Sequence, residues 1–499
     1  MTAPALWTVP AVVGDDTLPS DCDDLVIGGG IVGLTTAVLL ARAGRAVCVV
    51  EACGFGSGST GRSSAKISLL QGVRYSSLLE NHSLDAVRAY ARANRDGFAW
   101  ITEFCAEHAV VHERRAAATF AREPDEVPRA RAEFVAAEAL GLPVTWQDGL
   151  DVPFPVHGAA VLADQVQVEP GSLVESLARE ARAAGAVLVD GARVAHVDLV
   201  GSPRVRLADG RRVRPRSVVV ATNGTILDRS GAFADTEAQR SYIVAYRHRT
   251  PPSIMALSAG SPSISVRDAV APDGTPVVLV GGHGHVVGRT RSEVAHVDAL
   301  RAWAAEHLPE AEEIAAWSAQ DRTTSDGLPR FGRLTVSPHV RHATGMAKWG
   351  FTNGPAAALA IAGDILGDAP AWHARMERGR PVTATVRRRV TLNASVAREL
   401  VSGWVRAVAT GPSSPRPGRG AVHREGVRLV ADADDGEREH RVSPVCTHLG
   451  GILRWNDLEQ TWDCPLHGSR FSPDGEVLDG PATAPLGCPG RARDGSDLR

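Results

Sequence analysis

The sequence predicts an α/β fold, and three observations indicate it. Apolar runs of strand length alternate with helical segments up to about residue 230, which is the order typical of a parallel sheet covered by helices. The first apolar run enters a glycine-rich turn that opens a helix, and the second run ends on an acidic residue. Residues 231–320 then hold several strand-like runs in succession, so we expect a second, α+β substrate-side layer beside the α/β domain.

The glycine-rich turn reads Gly28-x-Gly30-x-x-Gly33, and the acid is Glu51. In this spacing the first glycine permits a tight turn, the second lets the backbone approach a pyrophosphate, and the third lets the helix pack on the strand. Glu51 can accept hydrogen bonds from a ribose diol, and its charge repels a 2′-phosphate. The sequence therefore predicts a Rossmann-type dinucleotide site, with a strand over Leu25–Ile27, a helix to about Ala43 and a strand over Val47–Val50.

Turn residues and apolar periodicity predict the remaining elements. Residues 78–140 are predicted to be mostly helical, and Val168–Asp198 to form a turn, a helix and two strands. Further strands are predicted at Ser217–Val220, Ser241–Arg247, Ser263–Arg267 and Pro276–Gly282. Further helices are predicted over about Ser292–Glu306, from the turn Gly345–Gly354 through Leu366, and over Thr391–Val408.

These elements divide the chain into domains. We expect a loose lead-in over residues 1–23, a nucleotide-binding domain over 24–80, 155–230 and 321–368, and a substrate-side domain over 81–154 and 231–320. Residues 369–420 are predicted to form a linker with a helix, and residues 421–499 a C-terminal domain.

Bulk composition excludes several classes of function. The 499 residues suffice for two or three domains. A net charge of −3 without a long basic stripe gives no case for a nucleic-acid partner. No apolar run reaches the length of about 18 residues that a membrane span needs, and the N-terminus lacks the pattern of a signal peptide. Seven cysteines are too few for a disulfide scaffold, so we expect a cytoplasmic protein.

Several motifs resemble the FAD-dependent oxidoreductases of the D-amino-acid oxidase and glycine oxidase type over about residues 20–370. They are VIGGGIVGL, the acid Glu51, the loop TGRSSAK, VVVATNG and KWGFTNG. The resemblance implies bound FAD and oxidation of a C–N bond in a small amine or amino acid. It implies FAD contacts for Gly28, Gly30, Gly33, Glu51, Thr60, Gly61, Arg62, Ser63, Ser64, Val194, Gly350, Thr352 and Asn353, and we expect Ala221 and Gly327 beside the same cofactor.

The C-terminal segment contains Cys446-x-His448 and Cys464-x-x-His467. Two thiolates on one iron and two imidazoles on the other are Rieske ligation of a [2Fe–2S] cluster. A zinc site is the competing interpretation, although zinc fingers usually pair CxxC with HxxxH. From about residue 421 onward, CTHLGG and CPLHGSRF resemble a Rieske domain, which implies an all-β fold and a [2Fe–2S] cofactor.

The segment departs from the Rieske pattern at three positions. Gly451 and Leu466 stand where many soluble Rieske proteins have a pair of disulfide-bonded cysteines, and Phe471 stands where high-potential members often have tyrosine. Ser469 is retained and can donate a hydrogen bond to a cluster sulfur. Because fewer such bonds disfavour the reduced cluster, we predict a potential in the lower part of the Rieske range of about −150 to +300 mV.

A flavin accepts two electrons from a substrate and a cluster carries one, so the pair predicts a relay from the substrate to an external acceptor or redox partner. An electron-transfer module and a cluster-fed flavin monooxygenase remain alternatives. Lys348 is a candidate for polarising the flavin or activating oxygen, or it is an ordinary lysine in an ion pair. Candidates with equally plain structural alternatives are His283 and His285 as bases, Arg289 as a carboxylate ligand, and Tyr242 and Tyr246 as pocket residues.

Overall fold

A computed structural model describes residues 5–7, 9, 12–15, 17–227, 232–378, 380 and 382–487. Its helices are α1 (Ile31–Arg42), α2 (Arg74–Leu79), α3 (Leu84–Glu107), α4 (Val127–Ala139), α5 (Pro170–Ala183), α6 (Val294–His307), α7 (Gly350–Leu366), α8 (Ala371–Arg378) and α9 (Val382–Ala409). The strands of the larger, N-terminal part are β1 (Asp21–Ile27), β2 (Val47–Val50), β3 (Lys66–Ile67), β4 (His112–Phe120), β5 (Thr145–Gln147), β6 (Ala159–Val168), β7 (Val187–Val189), β8 (Val194–Val197), β9 (Val205–Leu207), β10 (Arg212–Val220), β11 (Thr236–Arg247), β12 (Ile254–Ser258), β13 (Ile264–Val270), β14 (Pro276–Val286), β15 (Glu312–Thr324), β16 (Arg330–Leu334) and β17 (Ser337–Thr344). The C-terminal strands are β18 (Arg419–Glu425), β19 (Arg428–Asp434), β20 (Glu439–Val442), β21 (Arg454–Asn456), β22 (Thr461–Asp463), β23 (Arg470–Phe471) and β24 (Val477–Asp479).

The first sheet has the predicted α/β organisation. Its order is β16-β17-β10-β1-β2-β7, with β8 and β9 attached, and β1 runs parallel to both β2 and β10. The helix α1 begins after Gly30 and ends at Arg42, close to the predicted end. It packs against α5 and α7, so the glycine turn lies at the carboxyl ends of the central parallel strands.

The second sheet has the order β15-β11-β14-β13-β12-β4-β6-β3, with β5 on β6. The predicted strands in residues 231–320 are present and pair antiparallel. Three elements cross the predicted domain limits: β3 and β6 belong to this sheet, and β15 continues to Thr324. The prediction of a mostly helical segment over 78–140 missed β4, whose alanines and arginines favour a helix until pairing with β6 and β12 fixes them as a strand.

Two helices connect this body to the C-terminal domain. Residues 369–390 were predicted as a linker, but α8 lies within them and α9 begins at Val382, before the predicted start at Thr391. Two small antiparallel sheets, β18-β19-β20 and β21-β22-β23-β24, then form the predicted all-β domain.

The lead-in segment also contributes to the core. Trp7 is buried, packs against the second sheet and donates a hydrogen bond from Nε1 to the carbonyl of Val270 at 3.2 Å. Within the part of the chain that the structure describes, no helix is both long enough and apolar enough to cross a bilayer.

Candidate active site and metal centre

A large cavity lies where the two main sheets meet. The start of α1, the loop after β2, the start of α7 and the facing strands β11, β14 and β15 form its walls, and it holds about 1470 Å³ of empty space, part of it open to solvent. Seven predicted site residues line it, namely Gly30, Thr60, Ser63, Ser64, Ala221, Lys348 and Gly350. The cavity thus joins the predicted dinucleotide turn to the face of the second sheet.

The predicted glycines have a physical reason in this geometry. Gly28 has φ +109°, and a Cβ there would lie 2.7 Å from the carbonyl oxygen of Ala221. A Cβ at Gly33 would overlap the carbonyl oxygen of Gly28, so only glycine lets α1 sit this close to the turn. Gly30 faces the cavity, and no side chain caps the N-terminus of α1. An uncapped helix N-terminus at a glycine turn fits the pyrophosphate of a dinucleotide.

Glu51 braces the same turn from behind. Its carboxylate accepts hydrogen bonds from the backbone N–H groups of Gly29 at 2.7 Å, Ala52 at 2.7 Å and Cys53 at 2.9 Å. Burial raises the pKa of Glu51, and these three donors oppose the rise. The carboxylate therefore holds the turn, and its place at the end of β2 fits a ribose contact.

The other predicted cofactor residues lie outside the cavity wall. Thr352 exchanges hydrogen bonds with the backbone of Ser68, and Asn353 donates to the carbonyl of Met346 at 3.0 Å, so both side chains fix the turn before α7. Val194 is buried in the core of the first sheet, Gly327 packs in a turn against Leu78, Gly61 packs against the carbonyl of Gly56, and Arg62 lies 3.6 Å from Glu459 of the C-terminal domain.

Lys348 lies in the cavity with a positive φ of 71°. A Cβ at Gly284 would lie 2.6 Å from Lys348 Nζ, so the glycine makes room for the ammonium group. Desolvation lowers the pKa of Lys348, and the nearby Asp321 carboxylate opposes that effect.

The two candidate histidines lie behind the cavity wall. His285 Nδ1 bonds to the carbonyl of Val286 at 2.9 Å and therefore donates, which leaves Nε2 to accept from the Tyr242 hydroxyl at 2.8 Å. Tyr242 lines the cavity, whereas Tyr246 packs in the core of the second sheet. Burial lowers the pKa of His285 to about 4, and His283 stands beside it at φ 48° without lining the cavity.

Arg289 faces the C-terminal domain. Its Nε donates to the carbonyl of Pro465 at 3.0 Å, and Nη1 lies 3.2 Å from Ser395 Oγ and 3.4 Å from Glu237. Arg289 does not line the cavity. These contacts give it an interdomain role in place of the predicted carboxylate contact.

Two cations that the sequence did not single out lie in the cavity. Lys66 Nζ contacts Ser265 Oγ and lies 3.5 Å from the carbonyl of Ala256. Arg267 is 2% exposed, its Nε has no hydrogen-bond partner, and its guanidinium lies 5.2 Å from the Trp7 ring. Burial lowers the pKa of Lys66 to about 7 and that of Arg267 to about 10. In the described part of the chain, neither forms an ion pair with a carboxylate. Their charge within otherwise apolar strands is the signal that could have found them.

The four predicted metal ligands come together in the C-terminal domain. The thiols of Cys446 and Cys464 are hydrogen-bonded to each other, and the rings of His448 and His467 lie 5.1 Å apart at 83°. Among the described residues, no three His, Cys, Asp or Glu side chains are grouped to hold a single metal ion. A thiol pair and an imidazole pair are what one iron with two sulfur ligands and one with two nitrogen ligands need.

The departures from the Rieske pattern face each other across the two ligand loops. A Cβ at Gly451 would lie 2.7 Å from Leu466 Cγ and 3.1 Å from Cys464 Sγ, so leucine fills the place of a disulfide. Ser469 hydrogen-bonds to Cys446, and the buried Phe471 offers no hydroxyl. The cluster site therefore retains one of the side-chain hydrogen bonds that tune its potential.

Buried charges join the C-terminal domain to the second sheet. Arg240 is fully buried and pairs with Glu459 and, at 3.3 Å, with Asp463. Arg470 lies 2.5 Å from Glu459 and 3.5 Å from Asp463. Burial alone would raise the pKa of Glu459, but Arg470 and Arg240 lower it to about 2. The interface is thus built on a compensated ionic network.

Comparisons with known proteins identify the family. Residues 23–363 match the model described as "FAD dependent oxidoreductase", and residues 409–490 match the Rieske [2Fe-2S] domain. This chain is a member of the FAD-dependent oxidoreductase family. The oxidoreductase therefore binds FAD and carries a C-terminal Rieske domain with a [2Fe–2S] cluster, and the helix N-terminus at the cavity and the paired ligands described above fit these two groups.

Relatives and solved structures agree with this assignment. The oxidoreductase is 28% identical over 492 residues to YhfW of Bacillus subtilis (strain 168), a Rieske 2Fe-2S iron-sulfur protein by name, covering 97% of this chain and 96% of that one. Glycine oxidase from Geobacillus kaustophilus superposes with a TM-score of 0.60 at 19% identity, over 71% of this chain and 96% of that chain. L-proline dehydrogenase from P. horikoshii gives 0.59 at 21% identity, over 73% and 100%. The two structures share the fold.

Proposed function

We propose that the oxidoreductase removes a hydride from the C–N bond of a carboxylate-bearing amine, and that single electrons leave through the Rieske cluster to an external one-electron acceptor. The observation that carries the substrate class is the pair Lys66 and Arg267. Two cations in one cavity without a carboxylate partner are costly to bury. A substrate carboxylate between them would supply the missing negative charge and the acceptor for Arg267 Nε.

The remaining cavity residues fit this assignment. The FAD supplies a two-electron hydride acceptor when bound. Lys66 and Arg267 lie on strands of the second sheet, so a carboxylate held there is directed toward the wall opposite the glycine turn. Tyr242 is held by His285 and orders the same wall. The substrate loses a hydride and a proton to give an imine, and water converts the imine to a carbonyl compound and an amine.

The test is anaerobic bleaching of the flavin by amino acids and by matched amines that lack the carboxylate. We expect amino acids to bleach it at far lower concentration than their decarboxylated counterparts. Lys66→Met and Arg267→Met should reduce that preference, whereas Arg247→Met, at an exposed edge of the same sheet, should retain it.

Two outcomes would overturn the proposal. Equal bleaching by amines and amino acids in the unmodified protein would remove the carboxylate site. Bleaching only by a reduced carrier protein would instead indicate an electron-transfer module.

A further inference from the structure

We propose that the segment Gln320–Arg322 of β15 is the electron bridge between the flavin cavity and the cluster, and that it meets the cluster at the His467 edge. This inference rests on the proposed function for the source of the electrons and adds the route that they take. It also assigns the Rieske domain one fixed docking position.

One face of this segment belongs to the cavity. Gln320 and Asp321 line it, and the Gln320 carbonyl accepts hydrogen bonds from Ser59 Oγ and, at 3.2 Å, from Asn223 Nδ2. Asp321 accepts a hydrogen bond from the backbone N–H of Lys348, on the cavity side. The main chain of the segment is therefore tied to the loops that surround the flavin site.

The side chains on the opposite face hold the ligand loop of the cluster. Gln320 Nε2 donates to the Gly468 carbonyl at 2.8 Å, and Arg322 Nη1 donates to the His467 carbonyl at 2.9 Å. A Cβ at Gly468 would overlap the Cβ of Ala238 on β11, so the loop touches the sheet directly beside a cluster ligand. A single side chain, that of Gln320, thus spans from the cavity wall to this loop.

Buried charges keep this contact in place. Gln320 Oε1 accepts from Arg240 Nη2 at 2.9 Å, and Arg240 pairs with Asp463, the residue before the ligand Cys464. Moving the domain away would separate these charges in a low-dielectric interior. The bridge therefore works at a fixed distance, without a swing of the Rieske domain.

The two histidine edges of the cluster differ in exposure. His467 is buried at 4% exposure against the second sheet, whereas His448 is half-buried and its neighbour Leu449 is 46% exposed. Each transfer moves one electron from the two-electron-reduced flavin to a ferric ion of the oxidised cluster. A one-electron carrier at the His448 edge reoxidises the cluster before the second transfer, and the protons of the reduced flavin pass to solvent.

The test is anaerobic photoreduction of the flavin in the holoprotein, with EDTA as electron donor, because it needs no substrate. We expect flavin reduction to precede bleaching of the cluster and its EPR signal, and flavin-free protein to show neither. Gln320→Met, which removes both amide hydrogen bonds at similar length, should slow cluster reduction several-fold. Gln147→Met, an exposed amide on β5, should match the unmodified protein. Equal rates in both variants would overturn the bridge.

A measurement on the unmodified holoprotein covers the case in which Gln320→Met fails to fold. In the half-reduced protein, the reduced cluster should accelerate the relaxation of the flavin radical in EPR, and unaltered relaxation would overturn the bridge. If photoreduction transfers electrons but no amino acid bleaches the flavin, the bridge stands and the proposed substrate falls. If amino acids bleach the flavin while the cluster stays oxidised, the bridge falls.

Discussion

Glu293 makes the docking of the Rieske domain sensitive to pH. It lies at the start of α6, is 4% exposed and shares a hydrogen bond with the Asp457 carboxylate of the Rieske domain. Burial, the Asp463 charge and the Asp457 charge together raise the pKa of Glu293 to about 8. Arg454 is the cation that faces this group, and it does not reverse the rise. At neutral pH Glu293 is therefore protonated and donates to Asp457.

The sign and size of the effect follow from linkage. Because folding raises the pKa of Glu293 from 4.5 to about 8, its contribution to stability is complete below pH 4.5 and is lost as the pH rises to 8. A tenfold change in a protonation equilibrium corresponds to about 1.4 kcal/mol, so the loss across this window is at most roughly 5 kcal/mol. Glu293→Gln keeps a donor to Asp457 but cannot ionise. We expect the variant to match the unmodified protein near pH 5 and to exceed it by a few kcal/mol near pH 9.

The assay is urea denaturation of both holoproteins from pH 5 to pH 9, followed by tryptophan fluorescence and cluster absorbance. Glu306→Gln, near the other end of α6 with a 75% exposed side chain, is the control and should follow the unmodified protein. Parallel pH profiles for Glu293→Gln and the unmodified protein would refute the reasoning.

Three other predictions concern the cofactors and their interface. Gly33→Ala should give protein without flavin absorbance, because its methyl group would overlap the preceding turn, while Gly44→Ala has free space around the new methyl and should keep the flavin; a flavin-loaded Gly33→Ala would contradict the turn argument. Glu459→Leu should lower the free energy of unfolding by about 3–5 kcal/mol in urea, since it leaves Arg240 poorly compensated, and an unchanged midpoint would show that the network is dispensable. A redox titration should place the cluster in the lower part of about −150 to +300 mV, with Ser469→Ala lower still, and a value above about +200 mV would contradict this.

Local patterns carried much of the prediction. The glycine turn, Glu51 and the four cluster ligands depend on spacing within short segments, because each sits on one turn or one loop of the chain. The structure places the ligands together and the turn at the cavity. The family match confirms the fold class and the two cofactors.

Features that depend on distant partners escaped the sequence. The strand β4 becomes a strand only by pairing with β6 and β12. Lys66 and Arg267 lie far apart in sequence, so their shared cavity exists only once β3 and β13 join one sheet. Arg289 carried the right charge for a carboxylate, but its position beside the Pro465 carbonyl is set by the domain interface.

The interface between the domains argues for a dedicated relay. A buried pair such as Arg240 and Glu459 contributes little net stability relative to apolar packing, because desolvation offsets most of the attraction. What such a network does supply is orientation, since each charge has few positions that satisfy it. Here that orientation holds the His467 loop on the wall of the flavin cavity. Fusion of the two domains also makes their encounter intramolecular, so electron transfer between them is independent of protein concentration. The diffusing partner is then needed only at the exposed His448 edge.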